Sequence, residues 1–135
     1  MHAATRPLSA PRWVLIADDD ADHRVLLSSV IRRAGFDVRE ACDGQELLDL
    51  VEEHGQPACV VTDLMMPRVS GFGVLAQLRE SAPGLPVVLI SAVGDEAMQT
   101  LAVDLGAAAM LHKPFDFGAL RELVVRVAER PRRPH

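Results

Sequence analysis

Short apolar runs alternate along the chain with segments whose apolar residues recur at helical spacing. The first run is WVLIA at 13–17; after an acidic loop, helical spacing continues as far as Ile31, and Gly35 predicts the end of that helix. The next run, FDVREA at 36–41, alternates as a strand does. Three of its residues are expected to share one face: Phe36, Val38 and Ala41.

The same alternation continues to the C-terminal region. The pattern predicts a helix from Asp43 to Gly55, a strand over 57–63, a helix from Gly73 to Ser81, a strand over 85–92, a helix from Asp95 to Leu105, the run AAAML at 107–111 and a last helix ending at Glu129. Five strand-then-helix units predict an α/β fold: one doubly wound, five-stranded parallel sheet of order 2-1-3-4-5, flavodoxin-like, with helices on both faces.

Composition limits the possible functions. Prolines bracket the patterned region, which predicts a flexible N-terminal tail at 1–11, a domain over 12–129 and an Arg/Pro-rich tail at 130–135. The domain holds all 19 acidic residues but only ten of the 14 basic ones, which argues against direct binding to nucleic acid or an anionic membrane. Cys42 and Cys59 form no CxxC pair, and no signal-peptide core or membrane-length apolar run is visible, so a cytoplasmic protein with reduced thiols is expected.

Polar residues follow four of the five predicted strands. Ligands of open parallel sheets bind in the crevice at the carboxyl ends of the strands. Because strands 1 and 3 are neighbours in the predicted order, their terminal carboxylates should meet, and they repel one another unless a cation or a proton intervenes. The candidate residues are Asp18 and Asp19 after strand 1, Asp63 at the end of strand 3, Ser91 at the end of strand 4, and His112 and Lys113 at the end of strand 5.

An all-oxygen carboxylate cluster suits a hard cation, most plausibly Mg²⁺, and disfavours zinc. A lysine and a hydroxyl across the crevice would make the group a phosphoryl site, in which an aspartate can serve as the nucleophile.

The motifs around these residues resemble those of the receiver domain of two-component response regulators. The resemblance covers residues 12–129. VLIADDDAD is similar to the family's first strand and acidic loop, VVTDLMMP to its phosphoacceptor turn, LISA to its hydroxyl-bearing strand end and GAAAMLHKPF to its GA…KPF segment. Each match alone is weak, but their order and spacing together are specific.

The resemblance implies a role for each matching residue. Asp63 would be the phosphoacceptor, and Asp18, Asp19, Asp63 and the backbone carbonyl of Met65 would bind Mg²⁺, with Asp19 the more direct ligand of the acidic pair. Ser91 would donate a hydrogen bond to the acyl phosphate and Lys113 would pair with a phosphate oxygen. A cis Lys113–Pro114 bond is also implied, although most X-Pro bonds are trans.

The resemblance further implies a phosphorylation-activated switch, which catalyses its own phosphotransfer and dephosphorylation but is not an enzyme in its own right. Its partners would be a histidine kinase or phosphotransfer protein, and an output protein or domain, or a second copy, at the face formed by helix 4, strand 5 and helix 5. Ser91 and the residue three before Lys113 would form the switch. Many receivers have Tyr or Phe there, whereas this chain has Met110, so we expect weak coupling.

Other functions remain open at this point. A haloacid-dehalogenase-type hydrolase would need an acid/base aspartate two residues after its nucleophile, where this chain has Met65. A flavodoxin-like cofactor module would need a Gly- and hydroxyl-rich loop after strand 1, where this chain has DDDAD. A receiver cut from a larger DNA-binding regulator or hybrid kinase is the third alternative.

Several nearby residues have simpler interpretations. Asp20 and Asp22 are predicted to be helix-cap and first-turn residues of the first helix rather than metal ligands. His23 is expected to face solvent, and Met66 to fill the core. His112 points the opposite way from Lys113 along the strand, so it is expected to face the surface or a partner rather than to be catalytic.

Overall fold

The computed structural model describes residues 13–92 and 96–129. Both predicted tails, and Asp95 at the predicted start of the fourth helix, lie outside these residues. The elements run β1 (Trp13–Ala17), α1 (Ala21–Arg33), β2 (Asp37–Ala41), α2 (Gly44–His54), β3 (Cys59–Asp63), α3 (Gly71–Ser81), β4 (Val87–Ser91), α4 (Glu96–Asp104), β5 (Ala109–His112) and α5 (Phe117–Ala128).

The five strands form one parallel sheet of order β2-β1-β3-β4-β5, which confirms the predicted fold class. β3 and β4 are buried along their whole length because helices cover both faces of the sheet. In β1, alternate side chains enter opposite cores: Val14 and Ile16 pack on the side of α1 and α5, whereas Leu15 and Ala17 pack on the side of α2, α3 and α4.

The prediction that Ala41 shares a face with Phe36 and Val38 is wrong. Phe36 and Val38 pack in the α1/α5 core, while Ala41 is buried in the core on the other side. The reason is the two-residue period of a strand, which places an even-numbered and an odd-numbered residue on opposite faces.

Polar caps set several helix boundaries. Asp20 accepts hydrogen bonds from the backbone N–H groups of Asp22 and His23, so its predicted capping role is confirmed. α3 begins at Gly71, two residues before the predicted start, because the Ser70 hydroxyl accepts from the Gly73 N–H. Within the described ranges, no helix combines the length and apolar character needed to cross a bilayer.

Candidate functional site

Three carboxylates converge where β1 and β3 end. Ala17 pairs with Thr62, so the residues that follow them, Asp18 just after β1 and Asp63 at the end of β3, lie side by side. Both are buried, Asp18 to 1% exposure and Asp63 to 7%, whereas Asp19 is exposed. One ligand atom from each of the three lies within 4.8 Å of the others. The structure thus brings together the acidic trio expected from the strand ends.

Lys113 supplies the positive charge beside this trio. Its Nζ donates to Asp63 Oδ2 at 3.0 Å, although 50 residues separate the two in the chain. The Lys113 backbone N–H donates to the Ser91 carbonyl at 2.8 Å, which extends the β4–β5 pairing by one residue and fixes where the lysine leaves the sheet. The Lys113–Pro114 bond is cis, as the resemblance implied.

The turn after Asp63 is closely packed. Asp63 Oδ1 accepts from the Met65 N–H at 3.2 Å, and the Met65 side chain is 70% exposed beside the site. The Gly71 N–H donates to the Leu64 carbonyl at 2.8 Å. A Cβ on Gly71 would lie 2.8 Å from the Asp63 carbonyl oxygen, so only glycine lets α3 start this close to the turn.

The two predicted switch residues lie on β4 and β5, the two strands that follow β3 in the sheet order. Ser91 is buried at the end of β4, in the strand that pairs with β3. Met110 lies opposite Leu89 in the β4–β5 register and is partly buried against the core on the α4 side. Met110 also lines a cavity of about 260 Å³ with Ala102 and Gln99 of α4.

The expectation that His23 faces solvent is wrong. Its side chain is only 20% exposed, and its Nδ1 makes a hydrogen bond to Asp18 Oδ2. His23 is the third residue after the Asp20 N-cap, a position from which a side chain can reach back over the loop before the helix. Next to it, Arg24 donates from Nη1 to the Asp18 carbonyl at 2.6 Å and from Nε to Glu40. Asp18 is therefore held by a set of groups from α1 that hydrophobic periodicity does not indicate.

A second contact missed by sequence reasoning joins two loops beside the site. Arg68, just after the Asp63 turn, forms an ion pair with Asp43, the N-cap of α2. Close to it, a Cβ on Gly44 would lie only 2.1 Å from the Val69 carbonyl oxygen. The loop after β3 therefore packs directly on the start of α2.

An open parallel sheet that gathers three carboxylates and one ammonium at its carboxyl edge defines an α/β domain with an acidic site. Residues 14–125 match the family model described as the response regulator receiver domain, and the chain belongs to this family. It is a signalling regulator domain, activated by phosphorylation, rather than a conventional enzyme. Response regulators act with histidine kinases and output domains.

Similar proteins agree with this assignment. The response regulator MprA of Mycolicibacterium vanbaalenii is 38% identical over 117 residues, which are 87% of this chain and 49% of that protein. The transcriptional regulatory protein SrrA of Staphylococcus aureus is 36% identical over 114 residues, 84% of this chain and 45% of that protein. The chain spans about half the length of these curated relatives. The receiver domain of NtrX from Brucella abortus superposes with a TM-score of 0.81 at 28% identity, covering 87% of this chain and 99% of that one.

Proposed function

We propose that Asp63 accepts a phosphoryl group from the phosphohistidine of a histidine kinase or phosphotransfer protein. An Asp63 carboxylate oxygen attacks phosphorus, the P–N bond to the partner's imidazole breaks, and the imidazole leaves with the electron pair of that bond. The acyl phosphate then stabilises a different arrangement of the face formed by α4, β5 and α5. Water later hydrolyses the acyl phosphate, which resets the switch.

The observation that carries this proposal is the contact between Lys113 Nζ and Asp63 Oδ2 at 3.0 Å within an acidic cluster. A carboxylate is a poor nucleophile toward an anionic phosphoryl group unless nearby cations offset the added negative charge. Lys113 is 29% exposed, so it is partly shielded from water while its ammonium can still reach an incoming phosphate oxygen. Ser91, buried at the neighbouring strand end, is the proposed hydrogen-bond donor to the acyl phosphate.

The donor set fits Mg²⁺. Three carboxylates with converging oxygens favour a hard divalent cation, and the proposed protein ligands are Asp18, Asp19, Asp63 and the Met65 carbonyl. When bound, the cation would neutralise charge on the phosphoryl group. Asp18 is held by hydrogen bonds on both carboxylate oxygens, whereas Asp19 is exposed, which supports Asp19 as the more direct ligand.

The output is proposed to be protein contact rather than nucleic-acid contact by this domain. The acidic charge of residues 12–129 opposes association with a phosphate backbone. SrrA is a transcriptional regulatory protein, and the match covers 45% of its length. We therefore include an attached DNA-binding output domain among the partners. The other partner is a second copy at the α4, β5 and α5 face, and the proposed setting is the cytoplasm.

The test is intact-protein mass spectrometry after incubation with acetyl phosphate, with Mg²⁺ or with EDTA. We expect the gain of one phosphoryl group in Mg²⁺ only. Asp63→Asn should take up none, whereas the control Asp37→Asn, on the exposed start of β2, should label as wild type does. Labelling of Asp63→Asn at the wild-type rate would refute the role of Asp63.

Lys113→Arg is a second, independent variant. It keeps the positive charge but replaces a compact ammonium with a wide planar group in a crowded pocket. We expect slower labelling and impaired switching. Wild-type behaviour of this variant would argue against direct contact of Lys113 with the phosphoryl group.

A further inference from the structure

His23 contacts a member of the acidic trio but has no part in the proposed chemistry. It contacts Asp18 through Nδ1, and because a carboxylate oxygen can only accept, Nδ1 carries the proton in this contact. The Asp20 N–H donates to the other oxygen, Asp18 Oδ1, at 2.9 Å. The two donors together fix the rotation of a carboxylate that is 1% exposed, and each oxygen keeps a lone pair for a further partner.

The other side of the His23 ring is held by an aromatic contact. Its centroid lies 6.2 Å from that of Phe115 with the planes at 68°, and Phe115 packs edge-on against Phe117 at 5.8 Å and 88°. Phe115 follows Lys113 by two residues. The imidazole therefore lies between the acidic loop after β1 and the segment that carries the site's ammonium.

We infer that His23 is a positioning residue for the metal site: its Nδ1–H holds the Asp18 carboxylate in the orientation that receives the cation. This inference rests on the proposed function for the identity of the cation. Residues that orient metal ligands in this way change metal affinity by about 10- to 100-fold when they are removed. If the hydrogen bond to Asp18 instead competed with the cation for the same carboxylate, removal of His23 would tighten Mg²⁺ binding, and that result would overturn the inference.

Two variants separate the hydrogen bond from the packing. His23→Phe keeps a flat ring against Phe115 but has no donor. His23→Asn loses the ring but keeps an amide N–H close to the place of Nδ1. Isothermal titration with Mg²⁺ at one fixed pH gives the affinity of each protein, and thermal unfolding in EDTA reports whether the metal-free fold is intact.

We expect His23→Phe to bind Mg²⁺ on the order of 10-fold more weakly than wild type, with little change of melting temperature in EDTA, and His23→Asn to recover most of the affinity. A purely structural role would instead change the melting temperature and be rescued by Phe. Equal affinities, or tighter binding in His23→Phe, would overturn the inference, as would a wild type that binds no Mg²⁺.

The titration and the phosphorylation assay can fail separately. A wild type that takes up no phosphoryl group, but shows the expected order of Mg²⁺ affinities, would refute the proposed function and leave the role of His23 in place. A wild type that is phosphorylated, with Mg²⁺ affinities independent of residue 23, would refute the role of His23 alone.

Discussion

Arg68 holds Asp43 with two parallel hydrogen bonds, from Nε to Oδ2 at 3.0 Å and from Nη2 to Oδ1 at 2.9 Å. The same carboxylate caps α2 by accepting from the Glu46 N–H at 2.8 Å. Arg68 adopts a φ of 69°, which is uncommon for a residue with a side chain. The fork-shaped pair thus ties the loop after Asp63 to the first turn of α2.

The ion pair between Arg68 and Asp43 should make the stability of the fold depend on pH. The Arg68 hydrogen bonds, followed by the Glu46 N–H, lower the pKa of Asp43 below its ordinary value of 3.8. A carboxyl whose pKa is lower in the folded state stabilises the fold fully above its unfolded pKa, and this contribution is lost as the pH falls through the folded pKa. We therefore expect Arg68→Met to lower the melting temperature at neutral pH, and the difference from wild type to shrink below pH 3.8.

Thermal unfolding followed by circular dichroism across this pH range measures the effect. Arg121→Met, at an exposed position of α5, is the matched control and should show no such pH dependence. A difference between Arg68→Met and wild type that stays constant down to the lowest pH would contradict the prediction.

Metal binding should stabilise the fold through Asp19. On the proposal that Mg²⁺ binds the folded acidic trio but not the unfolded chain, a Mg²⁺ concentration 100 times the dissociation constant should add about 2.7 kcal/mol to the free energy of unfolding. Asp19→Asn should lose most of this gain, while Asp22→Asn, exposed in the first turn of α1, should keep it. Urea unfolding with and without Mg²⁺ is the measurement. The same Mg²⁺ gain in Asp19→Asn as in wild type would exclude Asp19 as a ligand.

Met110 should make the coupling between Asp63 and the α4 side weak. A flexible thioether fits its partly buried site in several conformations, so two states of the domain differ little in energy there. We expect beryllofluoride with Mg²⁺ to change amide exchange in β5 and α4 only slightly in wild type. Met110→Tyr, whose ring can enter the adjacent cavity of about 260 Å³, should enlarge the change.

Hydrogen exchange with mass spectrometry measures these changes. Leu26→Tyr, at an exposed position of α1, is the control for an added aromatic ring. If beryllofluoride changed the amide exchange rates of β5 and α4 by about 100-fold in wild type, which corresponds to about 2.7 kcal/mol, and Met110→Tyr showed no larger change, weak coupling would be disproved.

The buried hydroxyl of Ser28, away from the site, should destabilise the fold. The Ser28 side chain is 1% exposed in α1, and among the described residues its Oγ has no hydrogen-bond partner. A buried hydroxyl without a partner is destabilising. We expect Ser28→Ala to raise the free energy of unfolding by about 1 kcal/mol in urea titrations, and Ser29→Ala, exposed on the same helix, to change it far less. A loss of stability in Ser28→Ala would show that the hydroxyl is satisfied.

The sheet and the acidic trio were predictable because both follow from periodicity and order. Apolar runs that end in polar residues place those residues at one edge of a parallel sheet, which was sufficient to bring Asp18, Asp63 and Lys113 together. The side of the sheet on which Ala41 lies was also predictable. Side chains alternate between the two faces along a strand, and Ala41 is an odd number of residues from Phe36.

The contacts of His23 and Arg68 could not be obtained in this way. Both depend on how a long or ring-bearing side chain reaches back across a loop, and that depends on backbone angles such as the positive φ of Arg68. Periodicity describes faces of helices and strands but not the direction of a loop. The third position after a helix cap is the one local signal that would have favoured an inward His23.

The distance in sequence between Asp63 and Lys113 also has a consequence for biosynthesis. The carboxylates leave the ribosome long before the lysine does, and β5 must pair with β4 before Lys113 Nζ can reach Asp63. A nascent or prematurely ended chain therefore holds the acidic residues without their cationic partner. A reaction that needs both the carboxylates and the lysine cannot occur until β5 has paired with β4. A partly synthesised domain should therefore not be phosphorylated.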